Sequence, residues 1–251
     1  MKKTGQTRKK VLLSAAAVLF WIGLWWLIAL LTDLPLLPSP WDTVIRLWQD
    51  LGTSAFWMHT SATVLRILCG YICAVLLGTV LAFLCHFSRA ADTLFSPLRT
   101  VIRCTPIASF IILLWLWLDK NTVPAFISCL MVVPIVWSNI QEGLGAADPL
   151  LIEMGKTYRL SRAAMIRHIY LPSVRSHFAA ACVTGMGFAW KSGISAEIIA
   201  VPVRAIGSTI WHAKTELDMS ELFAQTLIVV LVSLLLEKLL KRLLRKGGKA
   251  A

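Results

Sequence analysis

The chain has few charged residues for its length, and acidic residues are the scarcest of them. Only 15% of its 251 residues are charged, and 13 Asp and Glu stand against 25 Lys and Arg, whereas a soluble domain is about a quarter charged. With 57% hydrophobic residues and a mean hydropathy of +0.73, the composition excludes an ordinary soluble domain. It predicts an all-α integral membrane protein.

Motifs for catalysis and for nucleotide binding are also lacking. The five His residues are scattered, without a paired carboxylate or the spacing of a zinc protease. Residues 154–157 read Met-Gly-Lys-Thr, the end of a phosphate-binding loop, but Leu150 stands where that loop requires Gly. We therefore expect no catalytic residue, no metal and no bound cofactor, so any ATP must be bound by another polypeptide.

Long apolar runs make up most of the sequence. A spanning helix needs about 20 apolar residues, and six segments meet this requirement: 11–31, 64–85, 98–118, 122–140, 176–201 and 222–240. The third is predicted as a helix that bears Pro106, and Gly70 and Gly78 give the second a small face for close helix packing. We predict six transmembrane helices in one domain over 11–240, between a basic segment at 1–10 and a basic tail at 241–251.

The distribution of Lys and Arg predicts the orientation, because cytoplasmic loops contain the excess. With the amino terminus inside, seventeen of these residues lie on the cytoplasmic side, and the four outside are Arg46, Lys120, Arg204 and Lys214. Both termini are thus expected in the cytoplasm. This distribution also explains the net charge of +12 without nucleic acid, since charges at helix ends meet anionic headgroups.

A short amphipathic helix is predicted after the first apolar segment. Pro38 and Pro40 end that segment because proline lacks an amide donor and restricts the residue before it. Residues 42–51 then place apolar side chains at helical spacing, with Trp41 and Trp48 suited to the headgroup region. This helix is either an interfacial anchor at the outer surface or a docking surface for an external partner.

A polar island after the fourth apolar segment is the most informative part of the chain. Residues 153–172 read EMGKTYRLSRAAMIRHIYLP, an amphipathic helical hairpin with basic residues. Its spacing resembles the cytoplasmic coupling loop of ABC importer permeases, which reads Glu-Ala-Ala, three residues, Gly, nine residues, Ile, one residue, Leu-Pro. Glu153, Ile169, Leu171 and Pro172 are in register, whereas Arg159 occupies the position of the family's Gly.

The departure at Arg159 affects the predicted turn. A glycine at this position permits a tight turn because a residue without Cβ adopts a positive φ easily. Arg159 must either take a strained conformation or let the turn move. We expect the turn to move by one or two residues.

The resemblance implies a complete transport assembly in the bacterial cytoplasmic (inner) membrane. Two copies of an ABC ATPase subunit, which use ATP and Mg, would bind the coupling loop at about 148–172, and a second permease copy would complete a homodimer. An extracytoplasmic solute-binding protein would deliver the solute. The residues expected to couple to the ATPase are Glu153, Gly155, Lys156, Tyr158, Arg159, Leu160, Arg162, Met165, Ile169, Leu171 and Pro172.

Three further patterns are similar to the permease branch that handles aliphatic sulfonates, taurine and nitrate. They are Leu-Pro-Ser-Pro at 37–40, then Pro97, Leu98, Arg103, Pro106 and Ala108, and then Trp190, Lys191, Ala196 and Glu197. The resemblance implies a small solute, with an anion such as a sulfonate, taurine or nitrate as one class and a vitamin precursor or other small organic solute as the alternative. An ion-coupled secondary transporter is a further alternative, although Glu197 is the one acid deep within a predicted span.

Six residues are candidates for lining the translocation path: Arg99, Arg103, Pro106, Trp190, Lys191 and Glu197. Arg99 and Arg103 could instead extend their side chains to phosphate headgroups. Lys191 and Glu197 are six residues apart, so an unbroken helix would not pair them. Either the helix breaks at Ser192 and Gly193, or each charge has a partner elsewhere, and the two residues either line the path or form buried structural contacts.

Overall fold

The computed structural model describes residues 2–32 and 36–247, and every regular element in that part of the chain is helical. The helices are α1 (Lys2–Thr32), α2 (Pro40–Leu51), α3 (Ser54–Phe87), α4 (Arg89–Cys104), α5 (Ile107–Trp115), α6 (Val123–Gly145), α7 (Pro149–Thr157), α8 (Arg162–Met165), a π-helix (Ile166–Tyr170), α9 (Leu171–Ala200), α10 (Ile206–Thr215) and α11 (Met219–Gly247). The predicted all-α class is confirmed.

Three of the described helices are long and apolar enough to cross a membrane, namely α3, α6 and the Met219–Arg245 part of α11. They coincide with the predicted segments 64–85, 122–140 and 222–240. Helix α1 contains a shorter apolar stretch, Ala16–Leu31, and α9 covers nearly all of the predicted segment 176–201. The count of six spanning helices remains a prediction.

The predicted third span is not one continuous helix. Helices α4 and α5 together are apolar and long enough to span, but they are bent by 103° at the break between them. Thr105 has an extended ψ of 128° because a residue before proline avoids the helical region. Pro106, predicted to lie within the helix, instead caps the start of α5, so the break occurs where an amide donor is missing.

The chain divides into two compact units. The larger comprises Met58–Ser208 and the residues from Val229 onward, and its core forms where α9 packs along α6, with Val136, Trp137 and Ala189 fully or almost fully buried. A Cβ at Gly70 would lie 2.1 Å from the Ala125 carbonyl oxygen of α6. The small face predicted for the second segment is thus confirmed as a close helix contact.

The smaller unit comprises the residues up to Trp57 together with Thr209–Ile228. Here α2 begins at Pro40, and the Ser39 side chain accepts a hydrogen bond from the Asp42 amide at 3.2 Å. Arg46 of α2 donates to the Glu221 carboxylate of α11 at 2.6 Å, and the Gln225 amide donates to Asp50 at 3.1 Å. An ion-paired polar cluster therefore joins α2 to the start of α11.

Asp50 has an unusual environment in this cluster. Burial of its side chain, together with the negative charge of Glu221, raises the pKa of Asp50 from 3.8 to about 6, and the nearby Arg46 opposes the increase. The polar side of the amphipathic α2 is thus a set of interacting charges.

Candidate functional site

The segment 148–172 folds into two short helical pieces joined by a turn. Asp148 begins α7 by accepting a hydrogen bond from the Leu150 amide at 2.9 Å, with Pro149 in the first turn. Ser161 begins α8 in the same way, accepting from the Ala164 amide at 3.2 Å. Local capping therefore determines where both pieces start.

The turn between the two pieces lies at Arg159 itself. This residue has φ 53°, in the left-handed region that non-glycine residues occupy at a cost of about 1–2 kcal/mol. The Leu160 amide donates to the Gly155 carbonyl at 2.8 Å, which closes the end of α7. The expected displacement of the turn is therefore wrong: Arg159 keeps the position of the family's Gly and takes its conformation.

The absence of a side chain at Gly155 allows α7 to pack closely against the residues that follow the turn. Gly155 is buried, and a Cβ at this position would lie 2.3 Å from the Met165 sulfur and 3.2 Å from Ile169 Cδ1. The π-helix that contains Ile169 runs directly into α9 at Leu171, and Pro172 lies in the first turn of α9. The segment is thus joined to a long helix without an intervening loop.

The outer surface of this segment combines exposed apolar and basic side chains. Leu150, Met154 and Tyr158 recur at every fourth position of α7 and its end, with 68%, 53% and 74% of their surface exposed. Leu160 is 44% exposed, and the charged residues Glu153, Lys156, Arg159 and Arg162 are also exposed. Most of the predicted coupling residues are therefore exposed, whereas Gly155, Met165 and Ile169 pack inside the segment.

The predicted path residues in and just after α4 differ in their contacts. The Arg99 guanidinium lies 4.9 Å from the centre of the Trp137 ring and donates to the Gln141 side chain of α6. Arg103 is exposed near the end of α4, and Pro106 lies at the break before α5. Arg99 therefore contacts α6, whereas the Arg103 side chain is exposed.

Helix α9 is continuous from Leu171 to Ala200, so the predicted break at Ser192 and Gly193 does not occur. The other alternative is correct for Glu197, which has a partner on another helix. Its carboxylate is fully buried and receives hydrogen bonds from Arg66, from the Thr63 hydroxyl at 2.9 Å and from the Gly207 amide at 3.2 Å. Glu197 therefore joins α9 to α3 and to the start of α10.

Arg66, Thr63 and Gly207 are not among the residues that the sequence predicted for a functional site. One signal was available, because Arg66 is an ionisable residue within the apolar segment 64–85, and such residues usually face a partner or a wet cavity. Gly207 gave no signal by itself. A Cβ there would lie 2.3 Å from Glu197 Cβ, so the close approach of α10 to α9 requires glycine.

Trp190 and Lys191 are adjacent in sequence but differ in surroundings. Trp190 is buried, and its indole N–H donates to the Val229 carbonyl of α11 at 2.9 Å. Lys191 is exposed, and within the described residues it has no ion-pair partner. It belongs to an exposed stripe of α9 that we call the α9 stripe, formed by Ala180, Thr184, Phe188, Lys191 and Ser195.

The α9 stripe is an exposed face of α9 that runs from Ala180 to Ser195. Its members are three or four residues apart, so they lie on one side of the helix. Lys191 is the charged member of this stripe, and a lysine within a membrane segment is costly unless it faces a bundle interior or water. No cluster of His, Cys, Asp and Glu in residues 2–32 and 36–247 could hold a metal.

The three described helices that are long and apolar enough to cross a bilayer indicate a helical membrane protein. The chain belongs to the family of binding-protein-dependent transport system inner membrane components, which matches residues 74–246. It is therefore the permease subunit of an ABC importer, as the sequence resemblance implied, and a component of the inner membrane.

Individual relatives agree with this assignment. A probable ABC transporter permease of Haemophilus influenzae is 25% identical over 85% of this chain and 87% of its own length. The taurine transport system permease of Escherichia coli is 24% identical over 95% of this chain and 89% of its own, and the nitrate import permease of Leptolyngbya laminosa is 26% identical over 94% and 87%.

A solved structure of an amino acid ABC transporter with histidines has a similar fold. Its TM-score is 0.59 at 17% sequence identity, and the match covers 77% of this chain and 94% of the other. At this identity the likeness concerns the fold alone, and it agrees with the helical architecture described above.

Proposed function

We propose that two copies of this chain form the path of an ATP-driven importer for a small anion. In this assembly each chain crosses the inner membrane six times with both termini in the cytoplasm, two ATPase subunits bind the 148–172 segments, and an external binding protein delivers the solute. ATP and Mg are bound by the ATPase subunits. The exposed surface of the 148–172 segment is the observation that supports this function most directly.

That surface has the composition of a docking site. Leu150, Met154 and Tyr158 are large apolar side chains outside the apolar helices and are more than half exposed, which soluble surfaces rarely show as a group. Basic side chains flank them at Lys156, Arg159 and Arg162. An apolar centre with a charged rim is the arrangement that binds a protein partner.

The packing of the segment suggests how force reaches the path. A pull on α7 would act on Met165 and Ile169 through the close contact at Gly155. Because the π-helix continues into α9, and α9 packs along α6, the movement would rotate or tilt the α9 stripe. Closing of the ATPase dimer would thus open the path outward, and nucleotide release would reverse it, as in alternating access.

The α9 stripe also supports an anionic substrate. Relatives include permeases named for taurine and for nitrate, and Lys191 is a charged side chain of this stripe that has no ion-pair partner among the described residues. In a pair of copies, two such lysines would present positive charge to one path. Small anions are the solutes that this charge favours.

The docking role is tested by reversing the charge of two exposed residues. We expect the double variant Arg159→Glu and Arg162→Glu to lose copurification with the ATPase and to lose ATP-dependent uptake into vesicles. The matched control is Arg242→Glu with Arg245→Glu, which makes the same charge change at exposed positions of α11. Undiminished ATPase capture and uptake by the first variant would refute the docking role.

A further inference from the structure

A groove in the larger unit is lined by apolar residues and by two arginines. It has a volume of about 780 Å³, which is within the range of binding pockets for small molecules. Its apolar lining is Phe83 of α3, Ile140 of α6, and Leu171, Pro172, Val174 and Phe178 of α9. Thr79, Arg167 and Arg175 supply the polar part.

The groove lies at the level where the 148–172 segment meets the membrane helices. Arg167 belongs to the π-helix and Arg175 to the first turns of α9, whereas Thr79 and Ile140 lie further along the apolar helices α3 and α6. Both arginines are exposed, and Leu171 is 53% exposed. The groove therefore opens to the surroundings of the chain at its charged end.

From this arrangement we infer that the groove binds an anionic phospholipid of the cytoplasmic leaflet. An acyl chain would occupy the apolar lining, and the phosphate would lie against the positive charges of Arg167 and Arg175, because guanidinium groups suit phosphate oxygens. Basic pockets between membrane helices on the cytoplasmic side suit anionic headgroups in this way. A purely apolar groove would accept any lipid, but these two charges select a negative one.

The lipid would contact the part of the chain that transmits force. Arg167 lies two residues before Ile169, which packs against Gly155, and π-helical turns occur frequently at functional sites. A bound phospholipid would hold the π-helix against α3 and α6. The occupied groove is thus expected to stabilise the junction between the 148–172 segment and α9.

The inference rests on the cytoplasmic placement of the 148–172 segment that is part of the proposed function. Its test, however, uses neither ATP nor transport. Thr79→Phe, outside the 148–172 segment, should abolish lipid binding and leave ATPase capture unaffected. The double variant Arg159→Glu and Arg162→Glu, at residues that do not line the groove, should abolish ATPase capture and leave lipid binding measurable. The two proposals can therefore fail separately.

The experiment measures thermal unfolding of the purified transporter in detergent by its tryptophan fluorescence. Added palmitoyl-oleoyl phosphatidylglycerol should raise the midpoint by roughly 5 to 10 °C at about a hundredfold excess over the dissociation constant. Phosphatidylcholine with the same acyl chains should raise it much less, and soluble glycerol phosphate should have no effect. An equal effect of glycerol phosphate would indicate a free anion site and overturn the proposal.

Two variants test the groove itself. In Arg167→Gln with Arg175→Gln the phosphatidylglycerol shift should disappear, whereas Arg242→Gln with Arg245→Gln, at residues that do not line the groove, should retain it. Thr79→Phe keeps both charges but fills the groove and should also remove the shift. If the first pair or Thr79→Phe responds to the lipid like the wild type, the inference is wrong.

The Thr79→Phe variant also shows whether the groove is occupied by a lipid or by a second copy of the chain. If a second copy of the chain covers the groove, filling it should separate the copies on size exclusion, and that outcome would replace the lipid by a permease contact. If the lipid is the occupant, the copies should remain together while the lipid shift is lost. Each result therefore supports or refutes the proposed ligand.

Discussion

Arg66 and Glu197 form a buried ion pair although 131 positions separate them in the sequence. The Arg66 side chain is 13% exposed and that of Glu197 is fully buried. The Thr63 hydroxyl and the Gly207 amide complete the set of donors around the carboxylate. The pair thus satisfies a charge that would otherwise be very unfavourable between apolar helices.

Removal of one partner of this pair should destabilise the protein strongly. Arg66→Ala leaves the Glu197 carboxylate buried without its counter-charge, which costs about 3–5 kcal/mol in such pairs. The unfolding midpoint in detergent should fall by roughly 10 °C or more for a chain of this size. A fluorescence-monitored thermal scan measures the change.

A second variant separates the charge from the packing. Arg66→Met combined with Glu197→Gln removes both charges and should recover much of the lost stability, because no uncompensated charge remains. If Arg66→Ala unfolds at the wild-type temperature, the ion pair does not hold the helices together.

Gly207→Ala should prevent normal packing of α10 on α9. The added Cβ would lie 2.3 Å from Glu197 Cβ and 2.8 Å from its backbone carbon, so the backbone must shift. Gly187→Ala in α9 is the matched control, since a Cβ there meets nothing within 4 Å and alanine favours a helix by up to about 1 kcal/mol. We expect Gly207→Ala to reduce the yield of folded protein on size exclusion and Gly187→Ala to leave it unchanged; equal yields would contradict the close contact.

Local patterns predicted much of this structure. The hydrophobic runs indicated α3, α6 and α11, and the small residues Gly70 and Gly78 indicated a close helix contact, because both signals lie within one segment of sequence. The family pattern placed Trp190 and Lys191 together as path residues, but Trp190 is buried and Lys191 is exposed. Which of two adjacent side chains is buried depends on how the other helices pack, and the local sequence does not show this.

Other features could not be predicted for identifiable physical reasons. The partner of Glu197 lies on a distant helix, and no periodicity connects Thr63 or Arg66 with position 197. At Thr105 the effect of the following proline was recognisable, but the same residue pair also occurs in kinked continuous helices. At Arg159 the sequence left open whether the residue would take a strained conformation or the turn would move.

Arg159→Gly should stabilise the turn of the 148–172 segment. Arg159 occupies a left-handed conformation with φ 53°, and glycine removes a steric cost of about 1–2 kcal/mol, partly offset by the greater freedom of glycine in the unfolded chain. Backbone amides of residues 155–162 should exchange with deuterium more slowly in the variant. Arg162→Gly should have the opposite effect. Arg162 begins α8, so glycine at this position should speed exchange. Faster exchange in Arg159→Gly would show that the turn does not require a positive φ.

The Asp50 cluster should make the stability of the protein depend on pH between about 3.8 and about 6. Its pKa is raised from 3.8 to about 6, first by burial and then by Glu221, so the folded chain holds this proton more tightly than the unfolded chain. The stabilisation is therefore complete below pH 3.8 and is lost as the pH rises through about 6. Asp50→Asn cannot ionise and should be more stable than the wild type at pH 7.5.

Wild type and Asp50→Asn should differ in how their stability depends on pH. Thermal scans of both at several pH values give a difference in midpoint that reports on Asp50 together with Glu221, which interacts with it, while more distant groups contribute equally to both. This difference should be largest at pH 7.5 and should shrink as the pH falls to 5. A difference that stays constant over this interval would mean that Asp50 does not titrate there.

Lys191 should determine how well an anion crosses the membrane. It lies on the exposed α9 stripe without an ion-pair partner in the described part of the chain, so Lys191→Gln removes positive charge from the proposed path while leaving the buried contacts of α9 in place. Loss of about 1.4 kcal/mol of attraction corresponds to a tenfold change, and we expect uptake of nitrate or taurine, whichever the assembly transports, to fall roughly tenfold.

Lys191→Arg keeps the charge and should retain most of the uptake, and Ser195→Ala changes the neighbouring turn of the same stripe without altering charge. ATPase capture should be equal in all three variants, because the 148–172 segment is unchanged. Uptake that is lost equally in Lys191→Arg and Lys191→Gln would indicate a steric role for this side chain, and full uptake by Lys191→Gln would place the anion path elsewhere in the assembly.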